Sequence, residues 1–253
     1  MDSALYFVHP FKDKKRIPLN KTKAILLLAA LSVLYSCNKN HVSELVTEPC
    51  QMQTSNPDGS SYESGTIVPY NYSAKHCGII PLSDKNYWIY EDSLFKDGEF
   101  TEVRFDTLQY QAWLSVTDSL IWWQASSQKG LPGMLYANDS SVFRASDRLF
   151  TPGIKDARKE FGFFAGDSLR FLTSFEDAAA MGRLLPVTTT VEIMAGSFDN
   201  CIYFDKNARN FRRDQLLFKP GIGVLKYIHE QAPMGTFIPK LQQVSTLISY
   251  HIE

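Results

Sequence analysis

The chain has 253 residues, of which 44% are hydrophobic and 21% charged, and its formal net charge is −1. This length and composition suit one large globular domain or two small ones, and they exclude a disordered or collagen-like chain. The near-zero charge offers no basic field for nucleic acid, and a single apolar run excludes a membrane protein with several spans.

The N-terminal segment has the organisation of a signal peptide. Residues 1–23 hold six basic side chains against two acidic ones, and the uncharged run 24–35 follows. As a helix this run would span about 18 Å, well short of a hydrocarbon core of about 30 Å. The pattern therefore favours the apolar core of a signal peptide. Two alternatives stay open, an uncleaved anchor helix and a secretory signal in which the following cysteine has no role.

The apolar run ends at Leu34, Tyr35, Ser36 and Cys37, and this tetrapeptide resembles the lipobox of bacterial lipoproteins. The resemblance implies that residues 1–36 are removed and that the new N-terminus, Cys37, carries a diacylglycerol on its thiol and a fatty acid such as palmitate on its amine. Leu34 and Ser36 fit the lipobox, whereas bulky Tyr35 departs from the small residue usual there. Each buried CH₂ contributes about 0.8 kcal/mol, so three acyl chains would hold the protein on a bilayer.

The residue after the lipobox bears on location. It is Asn38, not the Asp that retains some lipoproteins in the inner membrane, so the resemblance implies an outer-membrane anchor. No acidic run follows immediately, which favours the periplasmic side over the cell surface.

Residues 37–80 are predicted to form a flexible tether between the anchor and a globular domain at 81–253. An exported compartment permits disulfides, and Cys50 and Cys77 bracket a segment rich in Ser, Asn, Pro, Gly and Tyr. A bridge between them would close a 28-residue loop and contribute roughly 3–4 kcal/mol on the chain-entropy estimate. Cys201 lies in an alternating apolar segment and is predicted to be a buried free thiol, although its pairing with Cys50 or Cys77 stays open.

We expect a structural or solvated role for His76, because no second ligand stands at metal-binding spacing.

From residue 82 onward the chain consists of short runs of aromatic and β-branched residues broken by Gly, Asp, Asn and Ser. Residues 86–91 and 99–107 are predicted strands, joined through the hairpin signal Asp97-Gly98. In the second of these strands the face with Val103 and Phe105 is expected to be the buried one. Further strands are predicted at 108–116, 119–125, 133–137, 141–145, 168–173, 188–194, 198–204, 215–218, 223–229 and 244–251.

Strands at intervals of about ten residues predict a mainly β fold. The expected architecture is a single antiparallel, curved sheet, either a sandwich or a partly open barrel, with one or two short helices at 154–161 and 175–183. Long amphipathic helices between strands are missing from the pattern, which argues against a doubly wound parallel sheet.

Three short segments resemble those of uncharacterised envelope lipoproteins of Gram-negative bacteria, common in the Bacteroidota. They are residues 86–90 (NYWIY), 195–201 (AGSFDNC) and 219–227 (KPGIGVLKY). The family shows G-N-Y-W-x-Y, A-G-x-F-x-N-C and P-G-x-G-x-V-K, and this chain departs from it at Lys85 and Leu225. The resemblance implies an envelope lipoprotein and supplies no catalytic residue. We interpret Gly196, Gly221 and Gly223 as turn glycines, because no P-loop Lys-Ser/Thr or helix start follows them.

The search for chemistry yields no catalytic candidate. No Gly-x-Ser-x-Gly elbow or calcium loop occurs, and the histidines are scattered. The feature suited to binding is aromatic: Trp113, Trp122 and Trp123 lie close in sequence, and the last two point to opposite faces of one strand. One could stack on a sugar ring or contact an apolar ligand. Alternatively, both faces of that strand are covered.

We therefore expect a lipid-anchored envelope protein that is a non-enzymatic binding or assembly module rather than an enzyme, without cofactor, metal or nucleic acid. Its expected partners are the membrane, through the N-terminal lipid, and an apolar ligand, a glycan or another envelope protein. The alternative is a surface glycan-binding protein or hydrolase that uses the region of Trp113, Trp122 and Trp123.

Overall fold

A computed structural model describes residues 67–71, 76–116, 119–145, 157–162, 169–175 and 177–253. The described residues contain strands and connecting turns but no helix. The strands are β1 (Ile67–Pro69), β2 (Tyr87–Lys96), β3 (Glu99–Ser115), β4 (Ile121–Ala125), β5 (Met134–Ala137), β6 (Ser141–Arg144), β7 (Arg158–Gly162), β8 (Leu169–Ser174), β9 (Ala179–Val187), β10 (Val191–Ile193), β11 (Gly196–Phe198), β12 (Cys201–Ala208), β13 (Arg212–Lys219), β14 (Gly223–Gln231) and β15 (Lys240–His251).

Thirteen of these strands form one antiparallel sheet. Its order is β7-β6-β5-β4-β3-β2-β15-β14-β13-β12-β9-β8, and β1 pairs with the C-terminal part of β3. Strands β10 and β11 form a separate small hairpin. The sheet is curved and nearly closed, as the sequence predicts.

The curvature brings distant strands into one core. Trp123 on β4 and Leu135 on β5 belong to the same buried cluster as Phe204 on β12 and Leu216 on β13, although several strands separate the two pairs within the sheet. Large side chains that are wholly buried fill this interior, among them Trp88, Tyr90, Trp123, Phe204 and Phe218. Burial of this apolar surface is the main stabilising term of the fold.

The predicted turns follow from backbone conformations that few residues adopt. Asp97 (φ 54°) and Gly98 (φ 90°) join β2 to β3, which is the turn geometry that matches the twist of a hairpin. Gly221, between β13 and β14, and Gly223, the first residue of β14, likewise have positive φ. A side chain would be strained at these glycines.

The end of the sheet that carries the β2–β3, β8–β9, β12–β13 and β14–β15 connections is called the hairpin end here. Its connections touch one another: the amide of Ala232 donates to the carbonyl oxygen of Phe211, 2.7 Å away. A Cβ placed on Gly98 would lie 3.8 Å from the Cβ of Lys240.

The prediction of short helices is wrong where the structure describes those segments. Residues 158–162 form β7, and β9 begins at Ala179 within the second expected helix. β9 alternates exposed and buried side chains at Ala179–Leu184, which is the period of a strand. In a short apolar segment the sequence alone does not distinguish this strand pattern from a helical one.

The prediction for the faces of the first hairpin is also wrong. Val103 is exposed, and Phe105 keeps 68% of its surface exposed. The reason is that β3 is one strand of 17 residues, in which the buried side chains of Leu108, Tyr110 and Ala112 fix which face points inward. The even-numbered face of β3, which includes Asp106, is therefore the inner one.

Packing extends N-terminal to the expected domain start at residue 81. Strand β1 pairs with β3, and His76, Ile79 and Ile80 are buried. The remainder of the expected tether, and the whole of residues 1–66, lie outside the described residues.

Candidate functional site

Two predicted site residues, Cys37 and Cys50, lie outside the described residues. Cys77 is disulfide-bonded, whereas Cys201 is a buried free cysteine. Since Cys201 is free, its pairing with Cys50 or Cys77 is excluded. The pairing of Cys50 with Cys77 stays a prediction.

The three tryptophans of the predicted binding region lie close together; Trp113 is half-buried and the other two are covered. Trp122 and Trp123 are both fully buried on opposite faces of β4. Trp123 belongs to the main core, and Trp122 to a second cluster with Tyr136 and Phe143. Trp113 on β3 pairs with Trp122 across the sheet. The structure therefore favours the alternative in which both faces of this strand are covered, and it presents neither Trp122 nor Trp123 for stacking on a sugar.

His76 is held as a structural residue. Its Nε2 lies 3.1 Å from the carbonyl oxygen of Ala137, and its ring contacts the edge of Trp123. Burial lowers the pKa of His76. In the ranges that the structure describes, no group of three or more His, Cys, Asp or Glu residues is arranged to hold a metal ion.

The polar groups best placed for chemistry lie inside the sheet, at its hairpin end. We call this set the interior charged cluster; its members are Arg144, Glu160, Lys206, Arg212, Asp214 and His229. Strand register assembles its centre, because Lys206 on β12 pairs with Asp214 on β13, which pairs with His229 on β14. Side chains at directly paired positions of neighbouring strands point to the same face.

Three members of the cluster bridge the two edges of the sheet. Lys206 Nζ on β12 lies 2.5 Å from Glu160 Oε1 on β7, and both side chains are buried. Arg144 on β6 lies 3.4 Å from Glu160 Oε2 and donates to Ser174 Oγ on β8. Because β7 and β8 are the terminal strands of the sheet order, these side chains hold together a seam that backbone pairing leaves open.

Two cations of the cluster lie over the same aromatic ring. Lys206 Nζ lies 4.6 Å, and Arg212 Cζ 4.5 Å, from the ring centre of Phe175. Both distances are within the range of a cation–π interaction. Burial lowers the pKa of Lys206, and the charge of Glu160 opposes this effect. The buried ammonium group thus depends on its carboxylate partner.

The other half of the cluster is a histidine–carboxylate pair. His229 Nδ1 lies 2.7 Å from Asp214 Oδ1, and Arg212 donates to both oxygens of Asp214 at 3.1 and 2.7 Å. Burial alone would raise the pKa of Asp214, but the hydrogen bonds from His229 and Arg212 lower it. An ionised carboxylate only accepts hydrogen bonds, so Nδ1 of His229 carries the proton and donates to Asp214. Nε2 of His229 is then the nitrogen that can accept a proton or a hydrogen bond.

This pair has the orientation of a proton-transfer dyad, but among the described residues it has no third member of a catalytic triad. The hydrogen bonds of the described residues connect His229 to Asp214 and not to a Ser, Thr or Cys. The arrangement can hold or move a proton at Nε2. Within the part of the chain that the structure describes, it presents no activated nucleophile.

A second buried ionic group lies further along the sheet interior. Lys129 Nζ donates to Asp92 at 3.0 and 2.8 Å and to Asp106 at 2.7 Å. Burial would raise the pKa of Asp106, but Lys129 lowers it. Lys129 also lies 5.3 Å from the ring centre of Tyr90.

The next residue, Gly130, has no room for a side chain, because a Cβ there would lie 2.6 Å from the ring of Tyr227. The loop that carries Lys129 therefore packs tightly against the inner face of the sheet.

The hairpin end also carries exposed apolar side chains, which we call the apolar rim: Phe100, Met234, Phe237 and Ile238. Phe100 lies at the start of β3, and the others in the β14–β15 loop. Exposed apolar patches with polar surroundings are typical of contact surfaces. None of the described residues forms a helix that is long and apolar enough to cross a membrane.

Sequence reasoning missed the interior charged cluster, although a signal for it existed. Residues two apart on a strand share a face, so buried Phe204 places Lys206 inward. In the same way, Leu216 places Asp214 inward, and Tyr227 places His229 inward. What the sequence did not reveal is that Arg144 and Glu160 come from strands far along the sheet.

Comparison with protein-family models gave no match, and neither did searches of curated proteins and of solved structures.

Proposed function

We propose that this protein is a lipid-anchored component of the bacterial envelope that acts as a non-enzymatic binding or assembly module. The observation that carries the proposal is the sequence at its N-terminus, where basic residues, the apolar run 24–35 and Ser36-Cys37 follow one another. Cys37 would carry the lipid, and the domain would face the periplasm from the outer membrane.

The disulfide at Cys77 supports a location outside the cytoplasm. Structural disulfides form and persist in oxidising compartments and are rare where thiols are kept reduced. A thioether at Cys37 would remove that thiol from pairing, and Cys201 is free. Cys50 is then the cysteine left to pair with Cys77.

The arrangement of the domain supports contact with partners over turnover of a substrate. Large aromatic side chains occupy the interior of the sheet, and its charged groups are paired with one another. The apolar rim, in contrast, is open to a partner.

Lipidation is tested by producing the full chain in a Gram-negative bacterium fed with a clickable palmitate analogue. Wild type should incorporate the label, and the purified protein should begin at Cys37 with a mass increase for the lipid. The variant Cys37→Ala should lose the label, whereas the matched control Cys201→Ala should keep it. A wild-type protein that retains residues 1–36 and an unmodified thiol would overturn the proposal.

Location is tested by separating the membranes on a density gradient and treating intact cells with protease. We expect the protein in the outer-membrane fraction and protected until the outer membrane is permeabilised. Recovery in the inner membrane, or digestion in intact cells, would contradict the proposed placement.

The non-enzymatic part of the proposal is tested at His229, the residue best placed to move a proton. Purified protein is assayed with a panel of ester and glycan substrates, beside the variant His229→Gln. We expect no turnover by either protein. Turnover by wild type that is lost in His229→Gln would replace the binding module with a hydrolase.

A further inference from the structure

We propose that the apolar rim at the hairpin end docks shallowly onto a lipid bilayer, with the β14–β15 loop at the boundary between headgroups and acyl chains. This inference rests on the proposed lipid anchor and adds a second membrane contact, which would fix the orientation of the domain.

The β14–β15 loop has the composition that such contact requires. Residues 232–239 (APMGTFIP) include no charged side chain, and Met234, Phe237 and Ile238 are largely or fully exposed. Apolar side chains on a structured surface bind at the headgroup–acyl boundary. A loop without charge enters this region without the large desolvation cost of an ion.

The loop is held in a conformation that displays these side chains. Both the amide and the hydroxyl of Thr236 donate to the carbonyl oxygen of Pro233, at 2.9 Å. Gly235 between them has φ +80°, and Ala232 is tied to Phe211. The apolar tip is therefore an ordered turn that points away from the core.

The neighbouring hairpin adds Phe100 and limits the depth of insertion. Phe100 contacts the edge of Phe95 at a ring distance of 5.9 Å and remains exposed. The turn beside it carries Lys96, Asp97 and Glu99, all exposed. These charges would remain among the headgroups, where Lys96 and Lys240 can meet phosphate while the apolar tips lie deeper.

A bilayer is favoured over a protein as the occupant because the proposed anchor keeps the domain beside one. Strand β1, where the described chain begins, pairs with the far end of β3, about 55 Å from the β2–β3 turn at 3.3 Å per residue. The 29 residues between Cys37 and β1 span up to about 95 Å when extended. The rim can thus reach the membrane that holds the lipid, at a high effective concentration.

The test uses the purified lipoprotein reconstituted into phosphatidylethanolamine–phosphatidylglycerol vesicles with brominated acyl chains, which quench tryptophan only at close range. One variant is Phe237→Trp in the rim. The matched control is Met194→Trp in the β10–β11 turn at the opposite end, because Phe237 and Met194 are each 78% exposed. We expect the added emission of Phe237→Trp to be blue-shifted and lost in brominated vesicles, and that of Met194→Trp to be unchanged.

A further substitution, Met234→Asp in the Phe237→Trp background, should restore the emission while the protein still floats with the vesicles. Flotation separates the two proposals. A wild-type protein that fails to float contradicts the lipid anchor and this inference with it. A protein that floats without quenching of Phe237→Trp, or with equal quenching of Met194→Trp, overturns the bilayer contact alone and leaves the rim to a protein partner.

Discussion

Lys206 and Glu160 form a buried ion pair between β12 and β7, strands that are not neighbours in the sheet. The pair closes a seam by side chains where continuous backbone pairing would make a closed barrel. A carboxylate or ammonium group so placed is costly to bury alone, and each needs the other. The seam is therefore a point at which one substitution should affect the whole domain.

Replacing one member of this pair should destabilise the fold strongly. We expect Lys206→Met to lower the free energy of unfolding by up to about 3–5 kcal/mol, because buried Glu160 would lose the closer of its two cations and keep only Arg144, 3.4 Å from Oε2. Adding Glu160→Gln should recover part of the loss. Urea denaturation measures both effects.

The control for the seam is an ion pair on the surface. Lys85 and Glu253 are 2.9 Å apart and largely exposed, so Lys85→Met should lower the free energy of unfolding by less than about 1 kcal/mol. Equal losses in Lys206→Met and Lys85→Met would contradict the seam.

Asp214 should make stability fall in acid. Its pKa in the folded state is lowered by His229 and Arg212 against the opposing effect of burial. Its contribution is therefore fully present above the ordinary carboxyl pKa of about 4 and is lost as the pH falls through the lower folded value. Asp214→Asn should be less stable at neutral pH and should lose less stability between about pH 5 and pH 2 than wild type does.

Urea denaturation at a series of pH values compares these proteins. Asp139→Asn, at an exposed carboxylate in a turn, serves as the control and should follow the wild-type profile. If Asp214→Asn and wild type lose the same stability in acid, Asp214 is not the group that titrates.

Gly130 should tolerate alanine far less than other glycines of the same backbone conformation. Gly130, Gly221 and Gly235 have φ of 75°, 74° and 80°, but only at Gly130 would a Cβ overlap a ring, that of Tyr227. Gly221→Ala and Gly235→Ala should each cost about 1 kcal/mol in backbone strain. Gly130→Ala should cost a further 1–3 kcal/mol or so through overpacking.

Thermal unfolding of the three alanine variants measures the difference. Similar midpoints for all three would show that the loop carrying Lys129 moves away from Tyr227 at little cost.

The buried tryptophans should behave as core residues. Trp122→Ala and Trp123→Ala should each lower the free energy of unfolding by about 3–5 kcal/mol, because both side chains are fully buried. Tryptophan emission of the wild type should be blue-shifted and weakly quenched by acrylamide. A tryptophan variant with wild-type stability that had lost binding to a glycan would instead restore the stacking alternative.

Much of the fold could be read from local pattern. The period-two alternation of β2 predicts that Trp88 and Tyr90 share a face, and the structure buries both. Asp97-Gly98 predicts the turn between β2 and β3, because few other residue pairs adopt two positive φ values in succession. These features depend on residues that are close in sequence.

The inward face of β3 and the interior charged cluster could not be predicted in this way. Val103 and Phe105 form an apolar stripe, yet the pleat of a long strand and the burial of Leu108 place them outside. Glu160 and Lys206 are 46 positions apart in the chain and meet because the sheet curls. Local sequence predicted most of the strands and their turns, but not β7 and β9, which overlap the expected helices, and the anchor at Cys37 stays a prediction from it. Only the closure of the sheet decided which charges are buried together, since burial and ion pairing depend on neighbours that distant strands supply.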